Sequence, residues 1–166
     1  MVWAVPLNLL DRQTKSIRVV SLYNLVSAQA DLDIKEFFRL ATGEISQPIY
    51  ICSIDRDLSQ KIGSTTCAVW LSKYTLDKQF HRHNEITADL YEHIPYVIQN
   101  GIVVSEKRNH LSFLLNSTET IGYWIKACVK SSRDGNELYL VTFHKCRKRD
   151  VERVLSKGII IRPWQK

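Results

Sequence analysis

At 166 residues, with 45% hydrophobic and 24% charged side chains, the chain is long enough to bury a core in one domain, and its composition is neither collagenous nor disordered. Its 23 Lys and Arg against 17 Asp and Glu give a formal charge of +6, which favours an anionic partner, with nucleic acid the commonest. No stretch approaches the roughly 20 apolar residues that span a bilayer, and the opening MVWAVPLNLL lacks a basic n-region, so neither a membrane partner nor a signal peptide is expected. Four scattered cysteines, Cys52, Cys67, Cys128 and Cys146, form no C-x-x-C pair and fit a reducing, cytoplasmic setting.

In chain order, residues 1–47 read as a helical or irregular N-terminal extension. Within it 16–22 is a strand or the lead into a helix, and 31–40 is a helix with Asp31 as cap and Gly43 past its end. From residue 48 the pattern sharpens. A strand is predicted over 49–54, a short helix over 58–62 stopped by Gly63, and a strand over 67–71. Residues 74–101 read as a helix capped by Thr75, with Asp77 in its first turn where the helix dipole favours an anion. Leu76, Phe80, His83, Thr87, Leu90 and Ile94 share its apolar face, while His81 and Arg82 lie off it. Pro95 opens a second short helix, and Asn100 with Gly101 supplies a left-handed stop.

Beyond Gly101 the chain reads as sheet. Strands are predicted over 102–105 and 110–115, joined by the charged turn 106–109, and the longest over 120–130. Alternation in that strand puts Ile121, Tyr123, Ile125, Ala127 and Val129 on one face, with Trp124, Lys126, Cys128 and Lys130 on the other. Asp134 and Gly135 mark a turn into a strand over 137–145. There Tyr139, Val141 and Phe143 are expected to face the core, and Leu138, Leu140, Thr142 and His144 the opposite side. A basic cluster, Arg147, Lys148 and Arg149, opens a helix over 150–157 that Gly158 ends. The apolar tail beyond it packs back on the domain or meets a partner chain.

Each histidine has two readings. His83 is either a half-buried core histidine or a proton-transfer group at the edge of a cleft. His144 either merely ends its strand or, with Thr142 pointing the same way, presents a catalytic pair. Metal hydrolysis has little support, because there is no H-E-x-x-H and two helical residues two apart, His81 and His83, point away from each other. No P-loop or G-x-G-x-x-G is present, so no nucleotide cofactor is expected.

Taken together, VWLSKYTLDK leading into Arg82 and His83, then Ile94 and Pro95, then a meander ending in LYLVTFHK, resemble the phage-associated branch of the barnase–EndoU–colicin–RelE (BECR) ribonuclease superfamily. The likeness covers residues 48–157. It implies an α+β fold, helices followed by an antiparallel four-stranded meander sheet, in a ribonuclease domain over 48–166 that cleaves RNA without metal or cofactor. Arg82, His83, Thr142 and His144 match the family's pattern; His81, Tyr123 and Lys126 are added from spacing.

Metal-free cleavage would use the RNA's own 2′-hydroxyl, with His83 and His144 as acid and base, because an imidazole titrates near working pH. Thr142 would donate to a phosphate oxygen and Lys126 would meet the developing charge. Arg82, Arg147, Lys148 and Arg149, with His81, would hold the RNA backbone, and Tyr123 or Trp124 would stack an unpaired base. Alternation sets Tyr123 and Lys126 on opposite faces, so they share a site only through a bulge. The expected activity is a toxin of phage or bacterial origin acting on tRNA-like or single-stranded RNA, with an antitoxin, an immunity protein or a phage structural protein as partner. Two alternatives stand beside it: a catalytically silent domain of the same fold that binds RNA or a partner protein, and a purely protein-binding regulator.

Overall fold

Asp33, just ahead of the first apolar helical residues, accepts from the backbone N–H of Lys35 at 2.8 Å and so caps α1, Ile34–Thr42. Gly43, at φ +80°, ends it. These are the first elements of a computed structural model that describes residues 32–83, 87–116 and 123–163. The predicted strand or helix at 16–22 and the Asp31 cap lie outside the described residues.

The remaining elements are β1 (Ile49–Ser53), α2 (Arg56–Lys61), β2 (Ala68–Leu71), α3 (Lys73–Arg82), α4 (Ala88–Tyr91), α5 (Ile94–Asn100), β3 (Ile102–Lys107), β4 (His110–Asn116), β5 (Trp124–Ser131), β6 (Leu138–Cys146), α6 (Lys148–Lys157) and β7 (Ile159–Arg162). The class is α+β, with one seven-stranded sheet ordered β1-β2-β6-β5-β4-β3-β7. The sheet is therefore larger than the expected four strands. β3 to β6 are consecutive antiparallel neighbours at its centre. β2 joins β6 in parallel and carries β1 on its outer side, and the apolar tail returns as β7 against β3.

Residues directly opposite on neighbouring strands share a face. Val103, Phe113, Ala127 and Phe143 line up across β3 to β6 on the main core face. Against them pack Phe37 and Leu40 of α1, Leu76 of α3, Tyr91 of α4, and Ile94, Val97 and Ile98 of α5. Part of the predicted 1–47 extension thus joins this core. Among the described residues the opposite face is covered by α6, whose Val151 and Val154 close over Val104 and Leu114. Each such buried valine or leucine is worth about 1.5–3 kcal/mol relative to exposure. That suffices to hold α6 at one end of the sheet while leaving the face open beside it.

Several local expectations are corrected. The long helix over 74–101 is broken: α3 ends at Arg82 and helical structure resumes at Ala88. Its cap is Ser72, whose hydroxyl accepts from Thr75 N–H, rather than Thr75 itself. Leu76, Leu90 and Ile94 are buried as their spacing demands, but Thr87 is exposed. Gly101 has φ −70°, so it is no left-handed stop. It is glycine because a Cβ there would stand 2.6 Å from the Val97 carbonyl oxygen.

In β6 the register passes from Cys128↔Thr142 to Val129↔Leu140, leaving Val141 as an extra residue. The bulge reverses the alternation. Leu138 and Leu140 enter the core in place of the expected Tyr139 and Val141, and Phe143 keeps its core position beyond the bulge.

Candidate active site

β2 pairs with β6 only through Val69↔Leu138 and Trp70↔Tyr139, so among the described residues no strand lies beside the later half of β6 on the side away from β5. A strand edge left this way must satisfy its backbone groups elsewhere. Gln79 of α3, 2% exposed, does so. In the orientation that serves both ends of its amide, it accepts from Phe143 N–H at 2.9 Å and donates to the Phe143 carbonyl at 2.7 Å. A side-chain amide stands in for the missing strand and fixes the end of α3 against β6.

One turn later, His83 N–H donates to the Gln79 carbonyl at 2.8 Å and the chain leaves the helix, His83 having φ −134° and ψ 71°. His83 is therefore the residue after the helix rather than a member of its apolar stripe. Its ring lies flat on that of His144, with centroids 4.9 Å apart and planes 5° from parallel. The two expected acid–base residues are thus neighbours, but face to face, with no room for a phosphate between the rings.

His144 lies directly opposite Lys126 across β5 and β6, on the face that α6 partly covers. Beside them opens a cavity of about 570 Å³, lined by His83, Tyr123, Lys126, His144, Lys145, Cys146, Arg147, Asp150 and Arg153, with Leu114, Val151 and Val154 as its apolar part. Five of the ten residues expected at the site line it: His83, His144, Lys126, Tyr123 and Arg147. Tyr123 and Lys126 share it, contrary to the alternation expected of a continuous strand, because β5 begins at Trp124 and Tyr123 precedes the pleated part. Lys145 Nζ stands 4.1 Å from the centre of the Tyr123 ring, a cation–π contact at the cavity wall.

The other five fall outside the lining. Thr142 is half-buried opposite Cys128, on the His144 side of β6 but further along the strand. His81 and Arg82 are exposed on the last turn of α3. Lys148 and Arg149 are exposed on the first turn of α6, Lys148 3.9 Å from Glu152 and Arg149 4.0 Å from Asp150.

Two carboxylates at the site escape a reading of the sequence. Glu106 Oε2 is 2.6 Å from Lys126 Nζ and also accepts the hydroxyl of Ser112. Burial pushes the Glu106 carboxyl up, but the hydrogen bonds from Lys126 and Ser112 and the charges of Lys126 and His110 outweigh it and hold it below the usual glutamate range. By sequence Glu106 belongs to a turn, whereas β3 continues through it with a register shift between Ser105 and Lys107. The only signal is a lone acid in a basic segment.

Asp150 gathers Arg147 at 3.1 Å and Arg153 at 3.5 Å, and these contacts, the Arg147 hydrogen bond first, hold its carboxyl low. The basic rim therefore carries its own counter-charge. Burial pushes the thiols of Cys128 and Cys146 up to about 11, so both are neutral near pH 7 and poorly suited to nucleophilic attack. Among the described residues no three His, Cys, Asp or Glu side chains cluster as a metal site requires, and no helix is long and apolar enough to cross a membrane. No protein-family model, curated protein or solved structure matches the chain.

Proposed function

We propose that this chain is a metal-independent endoribonuclease with a BECR-like fold, a toxin of phage or bacterial origin that cleaves tRNA or another host RNA in the cytoplasm and is restrained by a partner protein. The observation that carries the reading is the meeting of His83 and His144 beside one cavity that also holds Lys126, Tyr123 and Arg147. They come from separate parts of the chain, and only the fold brings them together.

In this reaction the RNA 2′-oxygen attacks the adjacent phosphorus as the bond from phosphorus to the 5′-oxygen breaks. One imidazole takes the 2′-hydroxyl proton, and the other, protonated, gives its proton to the leaving 5′-oxygen. A 2′,3′-cyclic phosphate and a free 5′-hydroxyl result. Entering and leaving oxygens lie roughly in line through phosphorus. Stacked rings suit that arrangement if both present their edges to the same side, each towards one of the two oxygens. Lys126 then meets the charge on the phosphate, Arg147 holds the backbone, and Tyr123 offers a face to an unpaired base. Thr142 has no part in the chemistry on this geometry, and His81, Arg82, Lys148 and Arg149 act at most on binding.

A second reading, a catalytically silent domain of this fold that binds RNA or a partner protein, is favoured by one observation: Glu106 and Asp150 already neutralise much of the cavity's positive charge. Incubating purified protein with total RNA in EDTA separates the two. Cyclic phosphate ends that appear with wild type and vanish with His83→Ala and His144→Ala support the nuclease. RNA binding without cleavage, unaffected by either substitution, overturns it in favour of the binding domain.

A further inference from the structure

Lys126 lines the proposed site directly opposite His144, and its strand position alone does not determine where its ammonium goes. A lysine stem has four rotatable carbons and ordinarily carries its charge out to water. Here the side chain is only 17% exposed, and the ammonium sits 2.6 Å from Glu106 Oε2. Keeping a charge partly out of water is costly unless a counter-charge and hydrogen bonds accompany it.

Glu106 supplies both, and its own position is determined. Its carboxylate accepts from the hydroxyl of Ser112, which is 0% exposed in β4. Glu106 itself lies where β3 slips register against β4, between Ser105 and Lys107. The slip places a carboxylate over the α6 face of the sheet, where Ser112, Cys128 and Thr142 stand in register across β4, β5 and β6 next to Leu114, Lys126 and His144. A chain of contacts therefore runs from a buried serine through Glu106 to Lys126, whose strand partner is His144.

We infer that Glu106 is a positioning residue: held by Ser112, its carboxylate keeps the Lys126 ammonium in a fixed place beside His144. This deepens the reading of the cavity as an RNA-cleaving site and rests on it. An ammonium has three donors, so one given to Glu106 leaves capacity for an anionic phosphate oxygen. A cation already in place when charge develops needs no reorganisation, which is where electrostatic catalysis gains most. Lys126 is thus a preset cation and Glu106 acts only through it. The same pair lowers the net charge of the resting cavity, so Glu106 is expected to weaken ground-state attraction for RNA while aiding the chemical step.

The test has two arms. In the first, ¹⁵N-lysine NMR follows the Lys126 ammonium, assigned by its disappearance in Lys126→Met. Wild type should show a slowly exchanging ammonium signal that is lost in Glu106→Gln, weakened in Ser112→Ala and partly restored in Glu106→Asp. In the second, cleavage kinetics should show kcat roughly tenfold lower in Glu106→Gln with KM unchanged or lower, and no further loss when Glu106→Gln is added to Lys126→Met. An ammonium signal that survives in Glu106→Gln, or equal losses from Glu106→Gln in the presence and absence of Lys126, overturns the inference. If wild type cleaves no RNA, the proposed function falls, and the ammonium signal alone still decides whether Glu106 positions Lys126.

Discussion

Replacing Gln79 by leucine tests how this fold assembles its site. The substitution keeps the side-chain volume and removes both contacts to β6, leaving the N–H and carbonyl of Phe143 facing methyl groups. A buried backbone group left unpaired costs about 1–3 kcal/mol. Two such groups at about 2 kcal/mol each, less roughly 1 kcal/mol regained from the added apolar burial, give a net loss of about 3 kcal/mol. A domain of this size is stable by roughly 5–15 kcal/mol and loses about 2–4 °C of Tm per kcal/mol, so the variant should stay folded with a Tm lower by roughly 5–15 °C. The loss should also be local. Hydrogen exchange at the Phe143 amide should quicken far more than at Phe113 or Ala127 in the sheet centre, and cleavage should fall because His83 is held one turn beyond Gln79. Circular dichroism on heating and amide exchange by NMR read both effects. A Phe143 amide as protected in Gln79→Leu as in wild type would show that α3 is held against β6 by packing alone.

Three further outcomes concern other parts of the molecule. His83→Ala and His144→Ala should each lower cleavage by about 10²–10⁴-fold, with the double variant little worse than the more damaging single one, as expected of residues acting as a unit; initial rates on a defined RNA in EDTA check this. Glu106 is held below the usual glutamate range by Lys126 and Ser112 against the effect of burial, so it stabilises the fold fully above the unfolded-state pKa of about 4.3 and loses that contribution as pH falls through its lower folded-state value. Wild type should therefore exceed Glu106→Gln in urea midpoint at pH 7, and the gap should close at acid pH; a constant gap refutes the ion pair. Gly135→Ala should be destabilising by about 1–3 kcal/mol from its φ of +75° alone, and by more because the new Cβ would lie 2.2 Å from the Gly63 carbonyl oxygen; urea unfolding measures it.

Features set by local chemistry can be read in the sequence. The Asp134–Gly135 turn announces itself because few residues adopt φ +75°, and the Gly135 carbonyl then accepts from Thr65 N–H at 2.8 Å to tie the turn to the loop after α2. The strand positions of Phe113, Ala127 and Phe143 follow from alternation, and His144 with Lys126 ends on the open face for the same reason. Features that depend on contacts between distant segments cannot be read this way. The bulge at Val141 has no signature of its own, yet it exchanges Leu140 for Val141 in the core. The end of α3 at Arg82 puts His83 outside the helix, and helical spacing cannot reveal a side chain that has left the helix. Glu106 looks like turn decoration because the register slip that aims it exists only once β3 and β4 are paired.

The charge of the chain illustrates the same division. A formal +6 points to an anionic partner, and counting basic residues near His144 selects Arg147, Lys148 and Arg149 as the surface that would meet it. The fold uses those charges differently. Asp150 draws Arg147, Arg149 and Arg153 around itself, and Lys148 lies near Glu152, so the cluster on α6 is largely paired along its own helix. Exposed pairs of this kind are weak, so in the proposed function they would yield to a phosphate at little cost. The four cations that line the cavity each have a partner: Lys126 lies against Glu106, Lys145 over Tyr123, and Arg147 and Arg153 beside Asp150. A nuclease needs its charge where the phosphate changes, and there one held ammonium does more than several mobile ones. In the proposed nuclease, long-range attraction would fall to the chain as a whole and rate to a few fixed groups. Raising ionic strength should accordingly weaken RNA binding by more than it slows the step on bound RNA.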